Sequence, residues 1–335
     1  MKIEKKYLDE MKRCYCASNI SFDGENHVLL ASEDPEVACN MYYGKDFEKK
    51  QNVWTIPGGC MSIVPIPGKE KEFLAVQEFY LKVTPSLAKI VWGKYEDGEW
   101  KFKDVVSIPY VHRFGIFHAN GINYLIAATV ATSKKEKNDW SVPGRIYVAE
   151  LPEDPSKGVE LEILVDGLYR NHGFWQTKKG GKDVGYFGSD QGILRVSAPE
   201  KRGGQWKTEL IMEGHIGEIA TVDIDNDGVK ELILSEGTCN ADWINDVYCV
   251  NDYGLGLGIG SFARPVVLYE APDGNGIYAV WGNQGLEEVT RITKNGSELE
   301  EELILSDSIN YDENYITYPN EIMTAYANDY SLLEG

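Results

Sequence analysis

The hydrophobic pattern along this chain is that of β-strands. Short runs rich in Val, Ile, Tyr and Phe are broken by Gly, Asp, Asn and Pro roughly every eight to twelve residues. Four such runs, at 114–117, 123–130, 145–151 and 161–165, follow one another with turns between them. Helical periodicity is scarce by comparison. The pattern predicts a unit of four antiparallel strands.

The same unit recurs along the chain. The segment SDQGI at 189–193 returns as GNQGL at 282–286, each time after an aromatic-bearing strand, and GEIAT at 217–221 matches NEIMT at 320–324. Four-stranded units repeated without intervening helices are typical of β-propeller blades. The sequence therefore predicts an all-β protein, with one β-propeller domain over 1–335.

The repeats place the successive blades. We expect them near 12–56, 57–109, 110–169, 170–213, 214–258 and 259–308. A further strand within 315–330 would close the ring beside N-terminal strands, because an open last blade leaves an unpaired edge. The glycine-rich stretch 254–260 is interpreted as a loop. Six and seven blades both remain open, and a pair of β-sandwiches is the alternative fold.

An acidic loop carries the most specific motif. The stretch DIDNDGVKE at 223–231 offers oxygens at alternate positions and a glycine for the sharp turn, which is a ligand set that Ca²⁺ prefers. Leu234 at the twelfth position, with strands on both sides, excludes an EF-hand. The alternative is an acidic hairpin turn without an ion. The predicted calcium ligands are Asp223, Asp225, Asp227, the carbonyl of Val229, and Glu231.

Histidines recur at one position of the repeat. His112, His172 and His215 each fall at the start of a predicted first strand, and the first strands of a propeller line its central channel. Three imidazoles at one depth predict a site for a divalent transition metal such as Zn²⁺ or Mn²⁺. The alignment of GEIAT with NEIMT puts Tyr318 at the equivalent position. The alternative is that each histidine hydrogen-bonds a backbone group.

Other side chains near these positions are candidates for chemistry or binding. His118 and Tyr318 are candidate general bases, and Arg113 is a candidate catalytic cation. Aromatic faces stack on sugar rings and guanidinium groups pair with carboxylates or keto oxygens, so a carbohydrate is the expected substrate. The alternative for the aromatics is packing between blades. The predicted substrate-binding residues are Trp140, Arg170, Trp175 and Arg264.

Composition and charge limit the classes of binding partner and the cellular location that we expect. Acidic residues number 53 and basic residues 33, giving a net charge of −20, so nucleic acid and an anionic membrane surface are disfavoured. The N-terminus lacks the apolar core of a signal peptide, and no apolar run is long enough to span a bilayer. Six cysteines without a C-x-x-C pair suggest reduced thiols. We therefore expect a cytoplasmic protein.

These features resemble those of a known group of propellers. With the acidic loop at 223–231 and the three histidine-headed strands, the chain resembles VCBS/FG-GAP repeat proteins. More specifically, it is similar to the propeller part of the aldos-2-ulose dehydratases (1,5-anhydrofructose dehydratases). The resemblance implies a metal-containing lyase that acts on keto sugars.

Two hypotheses from different classes follow. The first is a metal-dependent carbohydrate lyase or dehydratase that carries out β-elimination on a keto sugar or sugar acid in the central channel. The second is a non-catalytic propeller, stabilised by Ca²⁺, that binds a glycan or a protein at the channel mouth.

Overall fold

The structure, a computed structural model, consists of β-sheets arranged as propeller blades. It describes residues 7–80, 85–136, 139–224, 228–236, 245–250, 256–262, 266–271, 273–283, 286–295 and 298–308. Within these ranges the strands form six antiparallel four-stranded sheets, and in each sheet the strands lie side by side in chain order. The predicted all-β propeller of four-stranded antiparallel blades is confirmed.

The first three blades hold twelve strands. Blade 1 consists of β1 (Cys14–Phe22), β2 (Glu25–Ser32), β3 (Cys39–Tyr43) and β4 (Lys49–Trp54). Blade 2 consists of β5 (Ile63–Pro65), β6 (Glu72–Gln77), β7 (Lys89–Glu96) and β8 (Glu99–Ser107). Blade 3 consists of β9 (Val111–Ala119), β10 (Ile122–Thr129), β11 (Gly144–Leu151) and β12 (Glu162–Leu168). Short 3-10 helices lie at Lys45–Phe47, Pro85–Leu87 and Pro155–Lys157.

The remaining blades continue the same order. Blade 4 consists of β13 (Gly173–Lys179), β14 (Lys182–Ser189), β15 (Gly192–Ser197) and β16 (Lys207–Met212). Blade 5 consists of β17 (Ile216–Val222), β18 (Glu231–Glu236), β19 (Asn245–Val250) and β20 (Gly256–Phe262). Blade 6 consists of β21 (Val266–Glu270), β22 (Ile277–Asn283), β23 (Leu286–Asn295) and β24 (Glu298–Ser308).

One predicted boundary is wrong. The limit at 258 between the fifth and sixth units falls inside β20, and the glycine-rich stretch forms most of that strand instead of a loop. Glycine lowers strand propensity, but the backbone of β20 pairs with β19 from Val250 opposite Gly256 to Asn245 opposite Phe262. Backbone pairing therefore overrides composition here. The segment 315–330, expected to close the ring, lies outside the described residues.

The first strands of successive blades contact one another from β1 to β5, β9, β13, β17 and β21. This order places the beginning of each blade at the inside of the propeller. The cores lie between the blades, where Phe73, Phe114, Phe117 and Phe187 are fully buried. Burial of each such ring stabilises the fold by roughly 2–3 kcal/mol. Among the described residues, no helix is long and apolar enough to cross a membrane.

Glycine allows two inner strands to approach closely. A Cβ atom added to Gly173, the first residue of β13, would lie 2.0 Å from the carbonyl oxygen of Gly217 on β17. No other residue type fits at that distance without moving the backbone. His172 precedes Gly173 in the chain and Glu218 follows Gly217, so this contact brings the two side chains toward each other.

Candidate functional site

A buried tyrosine and histidine meet at the inside of the propeller. Tyr15 on β1 and His112 on β9 each occupy the second position of their blade's first strand. The Tyr15 Oη atom lies 2.8 Å from His112 Nε2, a hydrogen-bond distance. The Arg113 guanidinium lies 5.3 Å from the centre of the Tyr15 ring, and its Nη2 is 3.4 Å from Tyr15 Oη. Phenol, imidazole and guanidinium thus form one cluster.

The second histidine extends this cluster. The ring centroids of His112 and His172 are 4.4 Å apart. On its other side, His172 Nδ1 lies 3.6 Å from Oε1 of Glu218, whose side chain is 17% exposed. We call Tyr15, His112, Arg113, His172 and Glu218 the axial cluster. It is contributed by first strands, or by the residue immediately before one, in blades 1, 3, 4 and 5.

Burial keeps both imidazoles of the axial cluster neutral. His112 and His172 are 5% and 6% exposed. Burial is the main reason that the pKa of each lies well below its ordinary value, because a charged imidazolium would lose its hydration. The positive charge of Arg113 lowers the pKa of both further. In its neutral form each imidazole has one ring nitrogen that donates a hydrogen bond and one that accepts.

One imidazole nitrogen of the axial cluster is buried without a hydrogen-bond partner among the described residues. This nitrogen is His112 Nδ1. The backbone of the same residue is held by the Ser62 hydroxyl, which donates to the His112 carbonyl oxygen at 3.1 Å. Arg113 is positioned in a similar way, since its Nη1 donates to the Met61 carbonyl oxygen at 2.8 Å. The cluster is therefore fixed by blade 2 but carries a free imidazole nitrogen.

A surface cleft lies near the axial cluster in the chain and in space. It has a volume of about 540 Å³ and is lined by Lys135, Glu136, Asp139, Trp140, Ser141, Arg170 and Asp190. Arg170 Nε donates to both carboxylate oxygens of Asp190, at 2.9 and 2.7 Å. Hydrogen bonds from Ser141 and the backbone of Lys135 lower the pKa of Asp139 to about 2. We call this the mouth cleft.

Two observations join the mouth cleft to the axial cluster. Arg170 is separated from His172 only by Asn171, which is fully buried. Lys134, next to the cleft residue Lys135, contributes with its charge to the lowered pKa of His112. The ammonium of Lys134 also lies 3.0 Å from the centre of the Trp140 ring. The mouth cleft and the axial cluster are therefore built from neighbouring stretches of the chain.

Of the three histidines predicted to share a metal ion, the structure brings two together. The side chain of His215 is 60% exposed, and its Nδ1 lies 3.4 Å from Asp190 Oδ1. His215 stands just before β17, and its contact with Asp190 places it at the edge of the mouth cleft, which Asp190 lines. In the part of the chain that the structure describes, no group of three His, Cys, Asp or Glu side chains could hold a metal ion.

Other predicted site residues lie in different places. His118 lies six residues beyond His112 on β9, about 20 Å along the strand, and its Nδ1 is 2.8 Å from Asn123 Oδ1. It is therefore too far from the axial cluster to act there. Trp175 packs between blades 4 and 5, with its Nε1 donating to Thr221 Oγ1 at 3.0 Å. Arg264 and Tyr318 lie outside the described residues.

The acidic loop joins the first and second strands of blade 5, as the sequence predicts. Asp223 Oδ2 accepts a hydrogen bond from the backbone of Gly228 at 2.9 Å, and buried Glu231 accepts one from Ile224 at 3.0 Å. Val229 is exposed. Asp225 and Asp227 lie outside the described residues, so calcium binding stays a prediction.

Sequence reasoning missed three residues at these sites. Tyr15 could have been found from its position, because it stands in β1 where His112 stands in β9. Glu218 lies inside the repeated GEIAT segment, but nothing in the sequence points its side chain at His172. Asp190 lies inside the repeated SDQGI turn. That repeat indicates a turn of a blade and gives no sign that Asp190 lines a binding cleft. Its pairing with Arg170 depends on the tertiary fold.

Comparison with known proteins supports the fold. No protein-family model matches the chain, and no curated protein matches it in sequence. Among solved structures, it is similar to the β-propeller domain of Cps50 (Swd1) from Myceliophteria thermophila, with 11% identity, coverage of 88% of this chain and 86% of that one, and a TM-score of 0.55.

Two further solved structures have the same architecture. The periplasmic gluconolactonase PpgL of Pseudomonas aeruginosa matches with 11% identity, 91% and 86% coverage of the two chains and a TM-score of 0.56. A mutant of AofleA from Arthrobotrys oligospora, in which arginines are replaced by alanine, matches with 12% identity, 89% coverage of each chain and a TM-score of 0.50. At such identities the likeness establishes the fold alone.

Proposed function

We propose that this protein is a carbohydrate-acting enzyme of the carbon–oxygen lyase type, which carries out β-elimination on a keto sugar or sugar acid. The observation that carries the proposal is the 2.8 Å contact between Tyr15 Oη and His112 Nε2, with the Arg113 guanidinium beside it. Proton abstraction next to a carbonyl needs a base and a cation for the developing oxyanion, and this cluster contains both.

The chemical step assigns a role to each group. Neutral His112 accepts the phenolic proton of Tyr15, and the phenolate oxygen removes the proton from the carbon next to the carbonyl. The electron pair of that C–H bond forms a carbon–carbon double bond. The C–O bond at the β-carbon breaks, and the leaving oxygen takes the proton held by His112, so that water or an alcohol departs and His112 is neutral again. Arg113 stabilises the negative charge that develops on the carbonyl oxygen.

The mouth cleft would hold the sugar during this step. Trp140, whose ring carries the Lys134 ammonium on one face, offers an apolar contact to the sugar, while Arg170 and Asp190 offer a donor and an acceptor for hydroxyl groups. A volume of about 540 Å³ suits a monosaccharide or disaccharide. His215, paired with Asp190 at the same cleft, is part of the binding surface in this proposal.

The two predicted metal sites differ in the ligands that the described residues supply. The described residues do not bring together three ligands for a Zn²⁺ or Mn²⁺ ion in the channel, and the proposed step uses only Tyr15, His112 and Arg113. Calcium in the acidic loop is kept, supported by the position of Asp223 and Glu231 at the turn between β17 and β18. The resemblance of the sequence to VCBS/FG-GAP repeat proteins, and to the aldos-2-ulose dehydratases in particular, also supports this proposal.

The test is an elimination assay on purified protein. Keto sugars and uronic acids, free or glycosidically linked, are screened for the ultraviolet absorbance of a new conjugated double bond. On the best substrate, His112→Gln and Arg113→Gln are expected to lower kcat/KM by roughly a hundredfold or more. His118→Gln, on the same strand but at its far end, is the matched control and should retain activity. Full activity in His112→Gln, or no elimination by the wild type, would contradict the proposal.

A second candidate function rests on the mouth cleft alone. An exposed cleft with an aromatic ring, a guanidinium and a carboxylate is also what a glycan-binding module needs. Under this hypothesis the buried histidines only support the fold. Glycan-array binding that is lost in Trp140→Ala but retained in His112→Gln, without any turnover, would favour this function over the lyase.

A further inference from the structure

A second cavity lies between blades 3 and 4, away from the axial cluster. Its volume is about 420 Å³. Its lining comes from the end of β9, the end of β13, the start of β14, the strand β15, the loop between β15 and β16, and the start of β16. The lining residues include His118, Lys179, Lys182, Arg195, Glu200 and Lys207. The axial cluster stands at the starts of β9 and β13, so the two sites are separated by about the 20 Å length of these strands.

The charge of this cavity is opposite to that of the whole protein. Although the chain carries a net charge of −20, residues 178–207 contain seven of its 33 Lys and Arg residues and three of its 53 acidic residues. In the cavity wall itself, four cationic side chains accompany one carboxylate, that of Glu200. On a protein that otherwise repels anions, such a concave basic surface marks a place where an anion is attracted.

The cations are held in position by specific contacts. Glu200 forms ion pairs with both Lys182 and Lys207, the second at 3.2 Å. Arg195 pairs with Glu209 on the neighbouring strand. Among the described residues, Lys179 forms no ion pair, so its charge is available to a ligand. The wall is therefore partly preorganised and retains uncompensated positive charge.

Backbone geometry keeps the rim of the cavity in a defined shape. Lys179 and Lys182 flank a two-residue turn, Gly180–Gly181, in which both glycines have positive φ angles of 58° and 78°. This hairpin turn places the two lysines at the same end of blade 4. Across the blade interface, Asn120 Nδ2 donates to the Pro199 carbonyl oxygen at 2.9 Å, which fixes the β15–β16 loop against blade 3.

We infer that this cavity binds a small dianion of the phosphate monoester class, such as a sugar phosphate. Lys179, Lys182 and Lys207 would contact the phosphate oxygens, and His118 and Asn120 at the rim are available to hydrogen-bond the rest of the ligand. The inference is independent of the proposed lyase function, because none of these side chains belongs to the axial cluster or the mouth cleft.

The test is isothermal titration calorimetry of the full chain with glucose 6-phosphate, inorganic phosphate and glucose. Saturable binding is expected for the two phosphates and not for glucose, and it should weaken as ionic strength rises. The variant Lys179→Gln/Lys207→Gln should raise the Kd for glucose 6-phosphate about tenfold or more. Lys101→Gln on blade 2, also a surface lysine in an ion pair, is the matched control and should leave the Kd unchanged.

Thermal unfolding checks that the variants are folded. If the double variant is unstable, the single variant Lys179→Gln replaces it in the titration, because Lys179 forms no ion pair with the described residues. Phosphate should also raise the melting temperature of the wild type, since a ligand that binds only the native state stabilises it. The inference is overturned if neither phosphate binds, if glucose binds equally well, or if the lysine variants retain the wild-type Kd.

Discussion

Tyr15 and His112 are 97 residues apart in the chain, and their Oη and Nε2 atoms are 2.8 Å apart at the inside of the propeller. They belong to blades 1 and 3, which are not consecutive. The contact therefore depends on the curvature that brings first strands toward a common axis. It also depends on blade 2, which anchors His112 through Ser62 and Arg113 through Met61.

Removal of the Tyr15 hydroxyl should destabilise the protein. In Tyr15→Phe, the buried Nε2 atom of His112 loses its hydrogen-bond partner, and we expect the free energy of unfolding to fall by about 1–3 kcal/mol. Urea denaturation followed by tryptophan fluorescence measures this change.

Tyr124→Phe is the matched control. Tyr124 is as buried as Tyr15, but its hydroxyl is one of the described buried atoms without a hydrogen-bond partner. Its removal should therefore leave the stability unchanged or raise it slightly. Equal losses in the two variants would show that the Tyr15–His112 contact contributes nothing specific.

The two buried histidines should make the fold sensitive to mild acid. Their pKa values lie well below the ordinary value, chiefly because of burial. In mild acid both imidazoles therefore stay neutral in the native protein, whereas they bind protons in the unfolded chain. The free energy of unfolding should thus be constant above about pH 6.5 and decrease below it, by at most about 1.4 kcal/mol per pH unit for each histidine.

Chemical denaturation at a series of pH values between neutral and mildly acidic conditions measures this slope. The variant His112→Gln/His172→Gln should show a shallower slope over the same range. The same slope in wild type and double variant would mean that other groups cause the acid sensitivity.

The close approach of β13 and β17 should not tolerate a side chain. In Gly173→Ala, the new Cβ would lie 2.0 Å from the Gly217 carbonyl oxygen, so the two strands must separate. We expect a loss of about 3 kcal/mol in stability, and a change in the environment of His172 in NMR spectra.

Gly98→Ala is the comparison, since its Cβ would meet open space and the cost comes only from a positive φ angle of 85°. That cost should be about 1 kcal/mol. A smaller loss at Gly173 than at Gly98 would contradict the role given to this inner-strand contact.

Calcium should stabilise blade 5 if the acidic loop binds it. Removal of calcium with a chelator is expected to lower the melting temperature of the wild type, and Asp223→Asn should abolish the difference between the chelated and calcium-loaded protein. Asp97→Asn, at an exposed turn of blade 2, is the control and should keep the calcium effect. If the melting temperature of the wild type does not depend on calcium, the prediction that this loop binds calcium is wrong.

The sequence alone determined the repeat and most of its boundaries. Strand runs, turn residues and the paired segments at 189–193 and 282–286 are local properties, and local properties predict blades because each blade is a run of consecutive strands. The placement of His112 and His172 where a blade begins was also visible, although His112 is the second residue of β9 and His172 comes just before β13.

Only the tertiary structure decided which of these side chains meet. His215 was expected to join the other two histidines, but it is exposed beside Asp190, while Tyr15 takes the place next to His112. The order of the strands is a property of the sequence, whereas these contacts depend on blade curvature and on close approaches such as that of Gly173 to Gly217. A repeat pattern therefore predicts positions around an axis, and side-chain packing between blades selects the partners.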